Sequence, residues 1–168
     1  MFIEDSQLNK FIIDSNLVSR ADFDSALKEA EKKGTRVGEI LVNSGKITED
    51  NLRRMQAYVL GIPFVDLKSR KIPFETLSMI PEPVARNHNI VAFKKTDDTL
   101  EVAMLEVNDL SAIDFVKKKV NLKILPRLTD TESIKNVIVQ YQKSLKAEFG
   151  DIIQKESATL KAIAEEAG

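Results

Sequence analysis

Apolar side chains recur at helical spacing through residues 1–62. Leu8, Phe11 and Ile12 lie on one such stripe, and Phe23 and Leu27 lie on the next. Short polar or glycine-containing breaks separate the stripes, and glycine favours the left-handed conformation that ends a helix. The pattern therefore predicts that this part of the chain is built from short helices.

The helical region contains an internal repeat. Residues 11–19 align with residues 40–48 at an offset of 29. Asn16 and Gly45 occupy the same place in the two copies, and both residue types tolerate a positive φ. Each copy then supplies a hydroxyl suited to cap the following helix, at Ser19 and Thr48. The sequence predicts a duplicated helical hairpin.

The pattern changes after residue 62. Strands are predicted at Ile90–Phe93, Leu100–Leu105 and Leu122–Leu125. Asp97 and Asp98 favour a hairpin turn between the first two strands, and a long amphipathic helix is predicted over residues 130–145. The order β-β-α-β-α predicts an α+β sandwich with helices on one face of a small sheet.

These patterns divide the chain into three parts. We predict a helical tandem-repeat domain over residues 1–62, a small α+β domain over residues 63–145, and a linker helix over residues 146–168. The last part is rich in Lys, Glu and Ala, with apolar residues spaced near 3.5, which is typical of a linker or coiled-coil helix.

Composition removes several classes of function. The net charge is −1, so the chain lacks the basic surface of a general nucleic-acid binder. There is no cysteine and only one histidine, which excludes thiol catalysis, disulfides and Cys-based or His-rich metal sites. No apolar run approaches the ~20 residues of a membrane span.

The sequence also lacks the motifs of common enzymes. It contains neither a phosphate-binding P-loop nor a Gly-x-Ser-x-Gly nucleophile elbow. His88 has no acidic partner nearby in sequence, so we interpret it as a surface or packing residue. Lys117, Lys118 and Lys119 suit a solvated helix end, and a partner or phosphate site is the alternative.

Several segments carry a resemblance to a known family. Residues 36–52 combine Arg-Val-Gly-Glu-Ile-Leu-Val with Gly-Lys-Ile-Thr-Glu, and residues 60–67 read Leu-Gly-Ile-Pro-Phe-Val-Asp-Leu. Residues 80–86 add Ile-Pro-Glu-Pro-Val-Ala-Arg. In these segments the chain resembles the N-terminal, MshEN-like region of type II secretion and type IV pilus assembly ATPases, the GspE/PilB family.

The resemblance implies a non-catalytic docking and regulatory region that couples a motor to its inner-membrane assembly platform. The implied partners are platform proteins and the chain's own C-terminal ATPase domains, which would follow the linker and support a hexamer. The implied location is cytoplasmic, at the inner membrane through partners.

A helical unit of about 60 residues cannot bury every apolar side chain within itself, so we expect some of its apolar residues to stay partly exposed as partner-binding anchors. The alternative is that they pack against the α+β domain. The candidates are Phe2, Ile3, Leu8, Phe11, Phe23, Val37 and Ile40.

Some members of this family bind cyclic di-GMP through a tandem motif. The resemblance implies weak contacts at Arg36, Gly38, Leu41, Val42 and Gly45. The closing glutamines of the motif are replaced by Ala30 and Val59, and the first arginine by Gln7. No other cofactor is implied. A cyclic di-GMP sensor is the alternative function, and a small stand-alone enzyme is a third.

Overall fold

The computed structural model describes residues 3–147. The predicted linker helix over residues 146–168 lies outside the described residues, apart from its first two positions. The helices are α1 (Ile3–Asp14), α2 (Arg20–Lys33), α3 (Val37–Asn43), α4 (Glu49–Leu60), α5 (Phe74–Leu77), α6 (Glu82–His88), α7 (Leu110–Val120) and α8 (131–147). The strands are β1 (Ile90–Lys95), β2 (Thr99–Met104) and β3 (Lys123–Leu128).

Helices α1 to α4 form the helical lobe, defined here as residues 3–62. Asn16 and Gly45 both take a left-handed conformation, with φ of 60° and 76°. The side chains of Ser19 and Thr48 each accept a hydrogen bond of 3.1 Å from the amide three residues later. The two copies of the repeat therefore turn and cap in the same way, which confirms the predicted duplication of local structure.

All four helices contribute to one apolar core in the helical lobe. Gly38 lets α3 approach α4 closely, because a Cβ placed at this position would lie 2.8 Å from Leu52 Cδ1. The buried members of this core are Leu8, Ile12, Val18, Phe23, Ala26, Ala30, Val37, Ile40, Leu41, Ile47, Leu52 and Met55.

Residues 63–147 form the α+β lobe around a three-stranded sheet in the order β1-β2-β3. Strands β1 and β2 pair antiparallel across a tight turn in which the Thr96 amide donates to the Thr99 carbonyl. Strands β2 and β3 pair parallel, with α7 as the crossover. The predicted α+β class and its β-β-α-β-α order are confirmed.

Both faces of the sheet are covered. Val102, Ala103 and Met104 are consecutive in β2 and each is completely buried. Successive side chains of a strand point to opposite faces, so neither face is open to solvent at this point. Sequence analysis placed helices on one face of the sheet, and the burial of these three residues shows that the other face is covered as well.

Beside β3, the chain returns from the helical lobe and extends the sheet by a short bridge. The Leu128 amide donates to the Pro63 carbonyl at 3.0 Å, and the Val65 amide donates to the Leu128 carbonyl at 2.9 Å. Pro126, two residues earlier in β3, pairs with Val102 in the register with β2. The junction between the two lobes is thus anchored at the end of the sheet.

Candidate functional site

Arg36 lies at the start of α3, where it occupies the N-cap position. Its side chain is 41% exposed, and its Nε lies 3.6 Å from the Asp5 carboxylate on α1. A partly exposed guanidinium can bind a phosphate or stack on a base. The neighbouring Asp5 carboxylate partly neutralises this positive charge, which weakens its attraction for an anionic ligand.

The other four residues of the predicted cyclic di-GMP site have structural roles. Gly38 is packed against α4 and Leu41 is completely buried. Val42 packs half-buried on the helical core, and Gly45 forms the left-handed turn. None of these four offers a polar side chain, so among the predicted residues only Arg36 can make a charged contact with a ligand.

Arg36 opens onto a pocket between the two lobes with a cavity volume of about 60 Å³. Two acidic and two basic side chains line it, so the pocket does not favour a strongly anionic ligand. The residues around the pocket are Asp5, Leu8, Arg36, Arg53, Gln56, Val59, Leu60, Leu105, Glu106, Val107, Asn108 and Leu128.

The predicted partner-binding residues are mostly inaccessible. Leu8, Phe23, Val37 and Ile40 are each no more than 8% exposed in the core of the helical lobe. These four residues are therefore not exposed anchors in this structure. The physical reason is that the two repeat copies bury their apolar stripes against each other, although the lobe is small.

Phe11 is the exception among these five residues. It is half-buried, and its ring lies 5.1 Å from the ring of Tyr58 on α4, tilted by 42°. Tyr58 itself is 74% exposed. The aromatic pair is the most prominent exposed apolar feature that the described part of the helical lobe offers, and sequence analysis did not select Tyr58.

The two lobes also meet through charged side chains. Lys68 Nζ lies 2.7 Å from Asp130 Oδ2 in the α+β lobe and 3.3 Å from Asp50 Oδ1 in the helical lobe. The bond to Asp130 raises the pKa of Lys68. Burial would raise the pKa of Asp130, but Lys68 and Ser133 together hold that pKa below its ordinary value.

A comparison with protein families decides where the chain belongs. Residues 60–148, more than half of the 168, match the model of the MshEN domain. The chain belongs to the MshEN-domain family. The resemblance inferred from the sequence is thereby confirmed.

Two curated relatives are type IV pilus assembly ATPases. The chain is 27% identical over 147 residues to PilB of Myxococcus xanthus, covering 88% of this chain and 26% of the relative. It is 25% identical over 145 residues to PilB of Thermus thermophilus, covering 85% of this chain and 16% of the relative. The MshEN-domain chain thus spans about a quarter or less of each of these proteins.

Two solved structures share the fold. A structure of MshE with cdg, cyclic di-GMP, has a TM-score of 0.67 at 23% identity, covering 80% of this chain and 97% of that one. The N-terminal domain of XpsE has a TM-score of 0.61 at 18% identity, covering 84% of this chain and 97% of that one. The α+β architecture with a helical lobe is therefore shared with these structures.

The MshEN match and the predicted ligand residues occupy different parts of the chain. The match begins at residue 60, whereas the five predicted cyclic di-GMP residues all precede it. The match includes Lys68 and Asp130, two of the charged residues at the junction of the lobes. No sequence motif marked these two residues, because their partners are distant along the chain.

His88 has an acidic partner after all. Its Nδ1 lies 3.3 Å from Asp109 Oδ2, 21 residues later. Asp109 caps α7, and hydrogen bonds from Ser111 and Ala112 together with His88 lower its pKa, although burial opposes the shift. The Ser111 hydroxyl contacts the carboxylate rather than the imidazole, so the three groups are not arranged as a nucleophile with its base.

No cluster of three or more His, Cys, Asp or Glu side chains in residues 3–147 could hold a metal ion. Within the same residues, no helix is both long and apolar enough to cross a membrane.

Proposed function

We propose that this chain is the non-catalytic docking and regulatory region of a type IV pilus or type II secretion motor. The observation that carries this proposal is the similarity to PilB, which runs through 147 residues and 88% of the chain. The proposed place of action is the cytoplasmic side of the inner membrane, through platform proteins. The division into a helical domain, an α+β domain and a linker to ATPase domains is part of the same proposal.

The proposed docking surface is the aromatic pair formed by Phe11 and Tyr58. Aromatic side chains dominate the binding energy of many protein interfaces because they bury a large area with few rotatable bonds. Tyr58 is largely exposed and Phe11 supports its ring from α1. In this proposal Phe11 keeps the partner-binding role expected from the sequence, and Tyr58 takes the place of the four residues that the fold buries.

Docking can be tested by measuring binding of the full chain to the cytoplasmic part of the platform protein from the same pilus or secretion system. We expect Tyr58→Ala to weaken binding by about tenfold or more, the effect of losing a hot spot. Leu110→Ala is the control, since Leu110 is 67% exposed on the α+β lobe. Absence of binding by the wild-type chain, or equal losses in both variants, would contradict the proposal.

The non-catalytic part of the proposal predicts no ATP turnover by this chain. A triphosphate needs a ring of backbone amides and a lysine to hold it, and the sequence contains no P-loop. A phosphate-release assay on the purified chain measures this directly. Hydrolysis that follows the protein through every purification step would contradict it.

Cyclic di-GMP sensing is a second candidate function, favoured by the exposed Arg36 at the mouth of the interlobe pocket. MshE, a structural neighbour, was solved with this ligand. We expect weak binding at most, because a single arginine paired with Asp5 is what remains of the polar site. Calorimetry should show an effect of Arg36→Ala and none of Arg20→Ala. Submicromolar affinity would show that the replaced glutamines are not needed.

A further inference from the structure

The two lobes have separate apolar cores. The core of the helical lobe runs from Leu8 to Met55, and the core of the α+β lobe runs from Leu67 to Tyr141. Each lobe can thus keep its packing when the other moves. What joins them is concentrated on α4 and on the residues that face it.

Glu49 forms the first of these connections. Its carboxylate Oε1 accepts hydrogen bonds from the Thr131 amide at 2.9 Å and from the Thr131 hydroxyl at 2.6 Å. Thr131 opens α8, so a carboxylate of the helical lobe satisfies the N-terminus of a helix in the α+β lobe. Negative charge is favoured at this end of a helix.

Lys68 forms the second connection. Its ammonium group bridges Asp130, which precedes α8, and Asp50, on the first turn of α4. Asp130 is almost completely buried, whereas the side chains of Lys68 and Asp50 are 34% and 32% exposed. The bridge is therefore open to water and ions on one side.

Two arginines of α4 complete the junction. Arg53 Nη1 donates to the Leu105 carbonyl at 2.9 Å, just after β2. The guanidinium of Arg54 lies 4.5 Å from the centre of the Phe64 ring. Four charged residues of α4 therefore contact the α+β lobe, namely Glu49, Asp50, Arg53 and Arg54.

We propose that these contacts form a polar clasp that can open, so that the two lobes reorient as separate bodies about residues 61–62, just before the segment that Leu128 holds by backbone hydrogen bonds. Polar contacts exchange for water with little net loss. The apolar residues between the lobes, such as Leu60 and Leu105, line a cavity and do not join the two cores into one. The clasp also borders the interlobe pocket, because Arg53 lines it. A ligand or partner that engages Arg53 therefore competes with one of its contacts.

The clasp can be tested by measuring the distance between spin labels on the two lobes. The chain has no cysteine, so Glu31→Cys on α2 and Lys118→Cys on α7 provide two unique, exposed labelling sites. We expect one narrow distance distribution for the otherwise unchanged chain. Adding Glu49→Gln and Lys68→Gln should broaden it and shift part of the population to a new distance.

Asp24→Asn is the matched control, because it removes an exposed ion pair within α2. It should leave the distance distribution unchanged. If the double variant loses its helical circular dichroism, two other measurements test the proposal. They are the distance distribution of the single variant Glu49→Gln and that of the labelled parent over a series of salt concentrations. At 1 M salt, where the Debye length is about 3 Å, the exposed side of the clasp is screened. An unchanged distribution in the folded double variant, or in both substitute measurements, would overturn the proposal.

Discussion

The helical lobe and the α+β lobe are stabilised in different ways. Among the described residues, the twelve largest side chains less than 2% exposed include only Ile12 and Leu41 from the helical lobe. The other ten belong to the α+β lobe, where both faces of the sheet are covered. The helical lobe depends more on local caps and left-handed turns.

This difference indicates where the chain can move. Regions with fewer fully buried contacts open at lower free energy than deep cores. The helical lobe is such a region, and it carries both Arg36 and the aromatic pair of Phe11 and Tyr58. The α+β lobe, with its deeper core, is the more rigid part of the chain.

The largest expected effect distinguishes the two cores directly. Leu100 in β2 and Leu41 in α3 are both completely buried. Replacing either by Ala should cost about 3 to 5 kcal/mol of unfolding free energy. We expect Leu100→Ala to lower the urea concentration at which the α+β lobe unfolds. We expect Leu41→Ala to make the helical lobe unfold at a lower urea concentration than the α+β lobe, in a separate transition.

Urea unfolding followed by far-UV circular dichroism measures both variants, and hydrogen exchange assigns each transition to a lobe. Ile113→Val, at a half-buried position on α7, is a mild control. A single identical transition in both alanine variants would mean that the lobes unfold as one unit, and the comparison would fail.

A smaller effect concerns the charged junction. Asp130→Asn should reduce stability at neutral pH by about 2 kcal/mol, since it leaves Lys68 without its closest partner. The folded-state pKa of Asp130 is lowered, so its contribution is fully present above the ordinary carboxyl pKa of ~3.9 and is lost as pH falls through the folded value. The groups around the pair are Asp50, Asp66 and Ser133.

Thermal melts of wild type and Asp130→Asn between neutral pH and strongly acid pH measure this dependence. The two curves should converge at the acid end. Asp24→Asn should change stability by less than about 0.5 kcal/mol at any pH, as expected for an exposed pair. If the difference in melting temperature between wild type and Asp130→Asn stays the same at every pH, the charge of the carboxylate is not its cause.

The smallest expected effects compare the two copies of the repeat. Gly45→Ala should cost about 1 kcal/mol, because alanine is strained at a φ of 76°. Asn16→Gly, at the matching position, should change stability by only a few tenths of a kcal/mol, since asparagine already tolerates this conformation. Chemical unfolding resolves the difference. Equal effects of the two substitutions would show that the left-handed φ does not determine their cost.

Sequence analysis predicted the features that depend on near neighbours. The turns at Asn16 and Gly45 and the caps at Ser19 and Thr48 follow from residue type and spacing alone. It also predicted the class of the second lobe, because the strands near Ile90 and Leu100 are apolar and separated by a polar turn.

Contacts between distant residues were not predictable in this way. Glu49 and Thr131 are separated by 82 positions, and a carboxylate in a helix's first turn is already explained by the helix dipole. For the same reason His88 appeared to lack the partner that Asp109 provides. The burial of Phe23 and Val37 depends on how two repeat copies pack, which spacing within one copy does not specify.

Pro126 has a consequence for how copies of this chain behave when crowded. In β3 the amides that point away from β2 belong to alternate residues, as the outward bond of Leu128 shows. Pro126 stands at one of these outward positions and has no N–H to donate. Another strand approaching this edge therefore meets an interrupted ladder beside the short bridge at Phe64. This edge of the sheet therefore resists pairing with a strand of a neighbouring copy, so copies can lie side by side here without joining their sheets.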